Sequence, residues 1–380
     1  MAIKRRVQDR ITQRLHKGKA IILLGPRQSG KTTLVENLLA GIPKEDVLYL
    51  NGDESDVRTG LLEATSARLR TTIGNRTVIY IDEAQRIQDI GTSLKLITDQ
   101  IKGVQVIATG SSALELAAKT FEPLTGRKFE YQLYPFSFSE LAADHGMLEE
   151  KRLLGRRLIY GSYPEIVTNP GDEQVLLKEL ASSYLYKDIL SIEGAGLQKP
   201  GLLDKILFAL AAQVGQEVSF SEVGQLVGAD RKTVEHYVEL LDKTFVLFQL
   251  PAFSTNERNE VKKMRKIYFY DNGILNTILN NFSPPEMRAD IGALWENYLI
   301  SERRKLLADS GITASRFFWR TRQQQEIDYI ERHEAGKLFA YEFKWSTKAK
   351  PKFPKTFTDR YPDADPKLIT PANYDEFLLP

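Results

Sequence analysis

The sequence predicts an α/β protein of more than one domain, and three observations carry that expectation. Short β-branched runs alternate with helical patterns between Lys19 and Leu141, the rhythm of a parallel sheet buried on both faces. The octapeptide Gly25–Thr32 joins the first of these runs to the first apolar helix pattern. The length of 380 residues exceeds what one core serves well, and about 150 residues per domain gives two or three.

From the start, residues 1–19 hold seven Lys or Arg (Lys4, Arg5, Arg6, Arg10, Arg14, Lys17, Lys19) against Asp9 alone, while Ile3, Val7, Ile11 and Leu15 recur every four residues. The result is a basic helix with one apolar stripe, either docked on its own domain or laid against nucleic acid. Buried strands are expected at Ala20–Leu24, Val47–Leu50, Thr77–Ile81 and Val104–Thr109. Segment 148–195 has helical periodicity, broken by Gly161-Ser162-Tyr163-Pro164 and by Gly194 and Gly196, and reads as a helical lid. Residues 202–270 read as helix, helix, glycine turn, helix, then strands at Thr244–Leu250 and Lys266–Tyr270, the order of a winged helix. Ser219 and Glu222 have capping-box spacing, and Gly228 turns the chain before Asp230 opens the next helix. Pro284-Pro285 marks a linker. Beyond it come a helix at Ile291–Leu307, strands at Arg316–Trp319, Ile327–Ile330 and Leu338–Lys344, and a polar, proline-rich tail.

Composition narrows the chemistry. With no cysteine and only four scattered histidines (His16, His145, His236, His333), any metal must be held by oxygen. The net charge is +2, no apolar run approaches the ~18 residues of a membrane span, and no signal-peptide stretch opens the chain, so a cytoplasmic protein without membrane contact is expected.

Gly25-Pro26-Arg27-Gln28-Ser29-Gly30-Lys31-Thr32 fits G-x-x-x-x-G-K-[ST] in the strand-to-helix context that motif requires. Backbone N–H groups and a helix N-terminus suit a triphosphate, Lys31 reaches its β/γ-phosphates, and Thr32, followed by Thr33, can ligate Mg²⁺. ATP with Mg²⁺ is the expected ligand. Asp82 ends an apolar strand and is placed for the Mg²⁺ shell, with Glu83 beside it to orient or deprotonate water or merely to cap a helix. Thr109 and Ser111 are candidate γ-phosphate sensors or ordinary caps for a helix from Ala113 to Lys119. Arg127 follows a glycine turn, and is either a finger for a neighbouring subunit's γ-phosphate, implying a homo-oligomer, or a surface Arg paired with a local acid.

Gly25–Thr32, Ile81-Asp82-Glu83-Ala84-Gln85, Thr109–Ser112, Leu124–Arg127, Tyr134–Glu140 and Tyr160–Pro164, in that order, resemble the prokaryotic (archaeal-type) AAA+ ATPase family with an uncharacterised C-terminal domain. The resemblance implies a P-loop NTPase fold, ATP binding, hydrolysis through Glu83 and a trans role for Arg127. It supplies no cellular task.

At the other end, thirteen residues separate Asp328 from Glu342, and alternation puts Glu342 and Lys344 on one strand face. If the two strands pair, Asp328 and Glu342 converge on a divalent cation and Lys344 polarises the water or the scissile phosphate. Glu296 in Gly292-Ala293-Leu294-Trp295-Glu296 adds a third acid, although Glu302 lies nearer the centre of the helix's apolar stripe. This layout is similar to the PD-(D/E)xK nuclease superfamily, nearest its resolvase-like branch. The competing view is a degenerate domain whose acids pair with Arg320, Arg322 or Lys344. Basic residues from Arg316 to Lys355 interleave with Phe317, Phe318, Trp319, Trp345 and Phe353, a pattern that suits nucleic acid or a polar surface over a core. Arg231, Lys232, Lys262, Lys263, Arg265 and Lys266 make DNA a candidate partner of the winged helix, which can equally dock protein.

The expected organisation is an ATPase core at 1–145, a helical lid at 146–200 that moves against the C-terminal half on turnover, a winged helix at 201–285 and a nuclease-like α/β domain at 286–380. Two outputs compete: ATP-gated, metal-dependent cleavage through Glu296, Asp328, Glu342 and Lys344, or a switch that binds DNA or a protein partner and cuts nothing.

Overall fold

The structure is a computed structural model and describes residues 3–62, 64–111, 124–182, 201–253 and 265–380. These fall into two compact units, one built from residues 3–136 with 243–245, the other from the remainder.

In the first unit the elements are α1 (Val7–Thr12), β1 (Ala20–Leu24), α2 (Lys31–Leu39), β2 (Val47–Asn51), α3 (Ser55–Leu61), α4 (Ser66–Ile73), β3 (Val78–Asp82), α5 (Ile90–Gln100), β4 (Gln105–Gly110) and β5 (Lys128–Gln132). The strands form one parallel sheet in the order β2-β3-β4-β1-β5. The inner strands β1 and β4 are buried along their whole length, which is why they read as continuous apolar runs. Edge strand β5 was not expected, because Lys128, Glu130 and Gln132 leave it half-exposed and dilute its signal.

The basic N-terminal segment docks on its own unit. Val7 and Ile11 pack into a core with Ile21, Leu23, Leu34 and Val35. Arg10 lies over the Tyr131 ring at 5.5 Å, and Arg14 and Lys19 lie over Phe129 at 5.0 and 5.1 Å, so much of the positive charge covers the face of β5.

The second unit runs through α6 (Phe138–His145), α7 (Met147–Arg152), α8 (Leu154–Tyr160), α9 (Pro164–Thr168) and a helix at 173–182, α10. It continues with α11 (Leu202–Ala211), α12 (Phe220–Val227), α13 (Arg231–Lys243), β6 (Leu247–Pro251), β7 (Arg265–Phe269), α14 (Asn272–Leu279) and α15 (Ile291–Ser310). β8 (Ser315–Arg320), β9 (Glu326–Arg332), β10 (Leu338–Phe343), α16 (Lys355–Thr358), β11 (Asp365–Ile369) and α17 (Tyr374–Leu378) complete it. β6 and β7 form an antiparallel hairpin, and the last sheet has the order β11-β10-β9-β8 with β11 parallel to β10. The stretch expected to be a polar tail therefore closes this sheet.

The start of the segment expected to be a lid makes buried contacts with α14. Asn272 and Asn276 donate to the Leu158 and Ile159 carbonyls at 2.8–3.1 Å, and the buried Asp271 carboxylate accepts from Ser162 N at 2.7 Å. Gly161 has φ +71°, and a Cβ there would lie 2.0 Å from Asp271 Oδ1, so only glycine fits. Helices α8 and α9 are thus hydrogen-bonded to α14 within the C-terminal unit, and residues 183–200 of the expected lid lie outside the described residues.

Candidate functional site

The carboxyl ends of β1, β3 and β4 bring together most of the residues singled out in the N-terminal half. Gly25 follows β1 so closely beside Leu133 that a Cβ would sit 2.0 Å from the Leu133 carbonyl oxygen. Gln28 and Gly30 take left-handed backbone (φ 56° and 91°), which curls the loop into the start of α2. Pro26 and Ser29 are buried, Arg27 is half-buried, and Gln28 and Thr33 are exposed. Lys31 is itself buried and donates to the Gly25 and Pro26 carbonyls at 2.9 and 2.8 Å, so its ammonium lies folded on its own loop.

Asp82 joins three elements. Its Oδ2 accepts from Thr32 Oγ1 at 3.3 Å, while its Oδ1 accepts from Thr109 Oγ1 and, at 3.1 Å, from Glu83 N. Thr109 therefore lies inside β4 against Asp82. Tyr80, two residues earlier on β3, is pushed well above the ordinary tyrosine range by burial and then by Asp82, and stays neutral there. Glu83 holds φ 48°, and its carboxylate accepts from Gln85 Nε2, which also donates to Ser111 Oγ at 2.9 Å. The proposed capped helix from Ala113 to Lys119 lies outside the described residues, as does Ser112.

Arg127 is elsewhere. Its carbonyl accepts from Ala20 N, at the entry end of β1, and its guanidinium pairs with Asp99 at 2.7 Å. The opposite end of the sheet from Gly25–Thr32 is thus its place, paired with a local acid.

Sequence reasoning missed Arg5 as part of this site. Its buried guanidinium donates to the Ser29 carbonyl at 2.7 Å and to the Tyr134 carbonyl at 2.6 Å, and stacks on Phe136 at 4.9 Å. Nothing short of the fold joins positions so far apart.

The C-terminal acids also gather, but around lysines. Asp328 on β9 accepts from Phe343 N at 2.7 Å, and Lys344 lies 2.6 Å from Glu342 and 4.0 Å from Asp328. Glu296 on α15 points to β7, where Lys266 Nζ stands 3.1 Å away and Tyr268 donates at 2.5 Å. Lys266 also pairs with Glu326. Burial, followed by Glu296 and Glu342, holds the Asp328 carboxyl well above the usual carboxylate range, and burial raises Glu342. Burial would lower Lys266, but Glu296 and Glu326 outweigh it and keep the ammonium charged. The Glu342 Oε2 atom is buried without a hydrogen-bond partner among the described residues. No three acidic or histidine side chains among those residues are grouped to hold a metal ion; Asp328 and Glu342 lie together beside Lys344. Glu302, the rival third acid, is a buried tie that pairs with Lys305 at 2.6 Å and accepts from Phe138 N at 2.6 Å.

Phe318 and Trp319 are buried, which removes them from any base-stacking surface. Asp230 caps α13 through Thr233, Arg231 lies 4.0 Å from Glu235, and Lys262 and Lys263 fall outside the described residues. No helix among the described residues is long and apolar enough to cross a membrane.

Against known proteins, residues 17–142 match a family model described as an AAA domain. Residues 151–285 match a domain of unknown function (DUF8612), and 291–375 match another (DUF4143). Uncharacterized proteins of Mycobacterium bovis and Mycobacterium tuberculosis are each 26% identical over 351 residues, covering 90% of this chain and 74% of theirs. One from Haemophilus influenzae is 25% identical over 282 residues, covering 67% of each chain. Among solved structures, the Pif1 helicase from Candida albicans has a TM-score of 0.28 at 13% identity, over 42% of this chain and 48% of that one. The Aeropyrum pernix ORC1 protein in complex with DNA has a TM-score of 0.32 at 14% identity, over 72% and 91%. Scores this low carry no argument. The AAA-domain match spans the whole parallel sheet and the residues gathered at the carboxyl ends of β1, β3 and β4.

Proposed function

We propose that residues 3–136 bind ATP with Mg²⁺ and hydrolyse it, and that the C-terminal unit is a nucleic-acid-binding output switched by that turnover. The observation that carries the reading is the Thr32 hydroxyl set 3.3 Å from the Asp82 carboxylate across the end of the phosphate loop. That hard-oxygen pair suits Mg²⁺, and the buried Ser29 Oγ, unpartnered among the described residues, leaves the loop with a polar atom to satisfy. When bound, Mg²⁺ neutralises charge on the phosphates. Lys31 leaves the Gly25 and Pro26 carbonyls for the β/γ-phosphates, and the backbone N–H groups of Gly25–Thr32 take the remaining oxygens. Glu83 receives the proton of the attacking water as its oxygen bonds to the γ-phosphorus. The β–γ bridging bond breaks, and ADP and inorganic phosphate leave. Thr109 steadies Asp82 and Ser111 senses the γ-phosphate. Arg127 has a place in this scheme only in a neighbouring subunit of a homo-oligomer, after release from Asp99.

For the output we read α11–α13 with the β6–β7 hairpin as a winged helix that meets DNA phosphates through Arg231 and Lys232, and the last sheet with α15 as a PD-(D/E)xK-like domain. Lysines on both sides of its acids favour the switch. The gathering of Asp328, Glu342 and Lys344 favours the second reading, cleavage.

One experiment separates these: ATP hydrolysis and Mg²⁺- or Mn²⁺-dependent cleavage of branched, single- and double-stranded DNA by wild type, Lys31→Ala and Asp328→Ala. Wild-type turnover lost at least a hundredfold in Lys31→Ala, with no cleavage by any of the three, is expected. Unchanged turnover in Lys31→Ala overturns the ATPase reading. Cleavage abolished by Asp328→Ala overturns the switch.

A further inference from the structure

Gln85 is the residue at the nucleotide edge to which nothing so far gives a task. It lies in the short turn after β3, two residues beyond Glu83, and its amide nitrogen donates both to Glu83 Oε2 and to Ser111 Oγ at 2.9 Å. Ser111 is buried and directly follows β4, so the amide ties together the ends of two neighbouring strands. The orientation of the amide is fixed chemically. A carboxylate accepts and never donates, so the NH₂ group must face Glu83. That leaves Oε1, which is buried and accepts no hydrogen bond among the described residues. An amide carbonyl shielded from water and left unpaired is costly, and its persistence at a candidate site is a reason to look for a donor that arrives with the substrate.

The backbone supports the same picture. Glu83 sits in the left-handed region at φ 48°, uncommon for a residue with a side chain, and Gly52 packs so closely on it that a Cβ there would lie 2.3 Å from the Glu83 carbonyl oxygen. The base is therefore held by its backbone from one side and by Gln85 from the other.

We propose that Gln85 is a positioning residue for hydrolysis: it fixes the Glu83 carboxylate and the Ser111 hydroxyl in one hydrogen-bonded line and leaves its carbonyl as an acceptor for the water that Glu83 deprotonates. The inference rests on the ATPase reading. Among the described residues the Gln85 side chain bonds to Glu83 and Ser111 and not to the phosphate loop, so its removal acts on turnover and leaves nucleotide affinity alone.

The test is steady-state ATP hydrolysis and fluorescent-nucleotide binding for wild type, Gln85→Ala, Glu83→Gln and the double variant, with thermal unfolding of each. Expected are a kcat about 10–100-fold lower in Gln85→Ala, KM and nucleotide affinity within about threefold of wild type, and no further loss when Gln85→Ala is added to Glu83→Gln, because that background has no base to position. Gln85→Glu, which places a second carboxylate against Glu83, should lower kcat and not restore it. Wild-type kcat in Gln85→Ala overturns the proposal, as does an equal further loss in the Glu83→Gln background or a loss that tracks a lowered unfolding temperature. If wild type binds nucleotide without hydrolysing it, the ATPase reading fails first and the proposal with it. If Glu83→Gln is inactive while Gln85→Ala is normal, the ATPase reading stands and the proposal alone fails.

Discussion

At the scale of single residues, the loop Gly25–Thr32 is held in shape by two cationic side chains. Lys31 pairs with two loop carbonyls, and Arg5 reaches the Ser29 carbonyl from a position before α1. A buried carbonyl that loses its donor costs about 1–3 kcal/mol, so Arg5 contributes to the loop's shape at that level. Arg5→Ala is expected to weaken ATP binding about tenfold in an equilibrium titration, and Arg5→Lys to recover only part of it, because an ammonium cannot span the Ser29 and Tyr134 carbonyls as the planar fork does. Wild-type affinity in Arg5→Ala would remove this role. The motif residues were legible because they are contiguous in the chain. Arg5, Gln85, Lys266 and Tyr268 were not, since their partners depend on which strand ends the fold brings side by side. Arg5 and Tyr134 are 129 positions apart, and Lys266 and Glu296 are 30.

At the scale of elements, burial decided what could be read. β1, β3 and β4 are buried on both faces and announce themselves as apolar runs, whereas edge strands β5 and β11 carry Lys128 and Glu130 or Asp365, Pro366 and Lys367 and look like loops. The long helix α15 shows what binds an element in place. Arg303 grips Glu331 on β9 through two bonds of 2.7 and 2.9 Å and donates to the Phe377 carbonyl at 2.7 Å. Burial alone would raise the Glu331 carboxyl, but the bonds and charge of Arg303, with His333 after it, hold it below the ordinary value. A carboxyl lowered by folding contributes stability that is complete above the unfolded value, about 4.3, and is lost as pH falls through the folded one. Glu331→Gln is therefore expected to destabilise the protein by about 3 kcal/mol at pH 7, with the difference from wild type shrinking toward pH 3 in thermal unfolding. A difference that is constant with pH would show that packing, not charge, is what the substitution removes.

At the scale of the molecule, a +2 chain distributes its charge into local pairs. The N-terminal cations cover aromatic faces, Arg127 meets Asp99, and the C-terminal acids meet Lys266 and Lys344. Sequence reading left open what these cations meet, because composition records a charge and not its neighbour. It read residues 146–200 as a lid because their helical pattern is plain, while the buried side chains that hold the start of that segment, Asp271, Asn272 and Asn276, lie about a hundred residues later. What the whole account turns on is whether Gly25–Thr32 takes a triphosphate opposite Asp82. A crystal structure with Mg²⁺ and a non-hydrolysable ATP analogue tests this directly: the phosphates should lie along the loop, with Lys31 Nζ moved from the Gly25 and Pro26 carbonyls onto them and the metal between Thr32 and Asp82. Phosphates bound elsewhere, or a Lys31 still folded on its own loop beside a bound analogue, would contradict it.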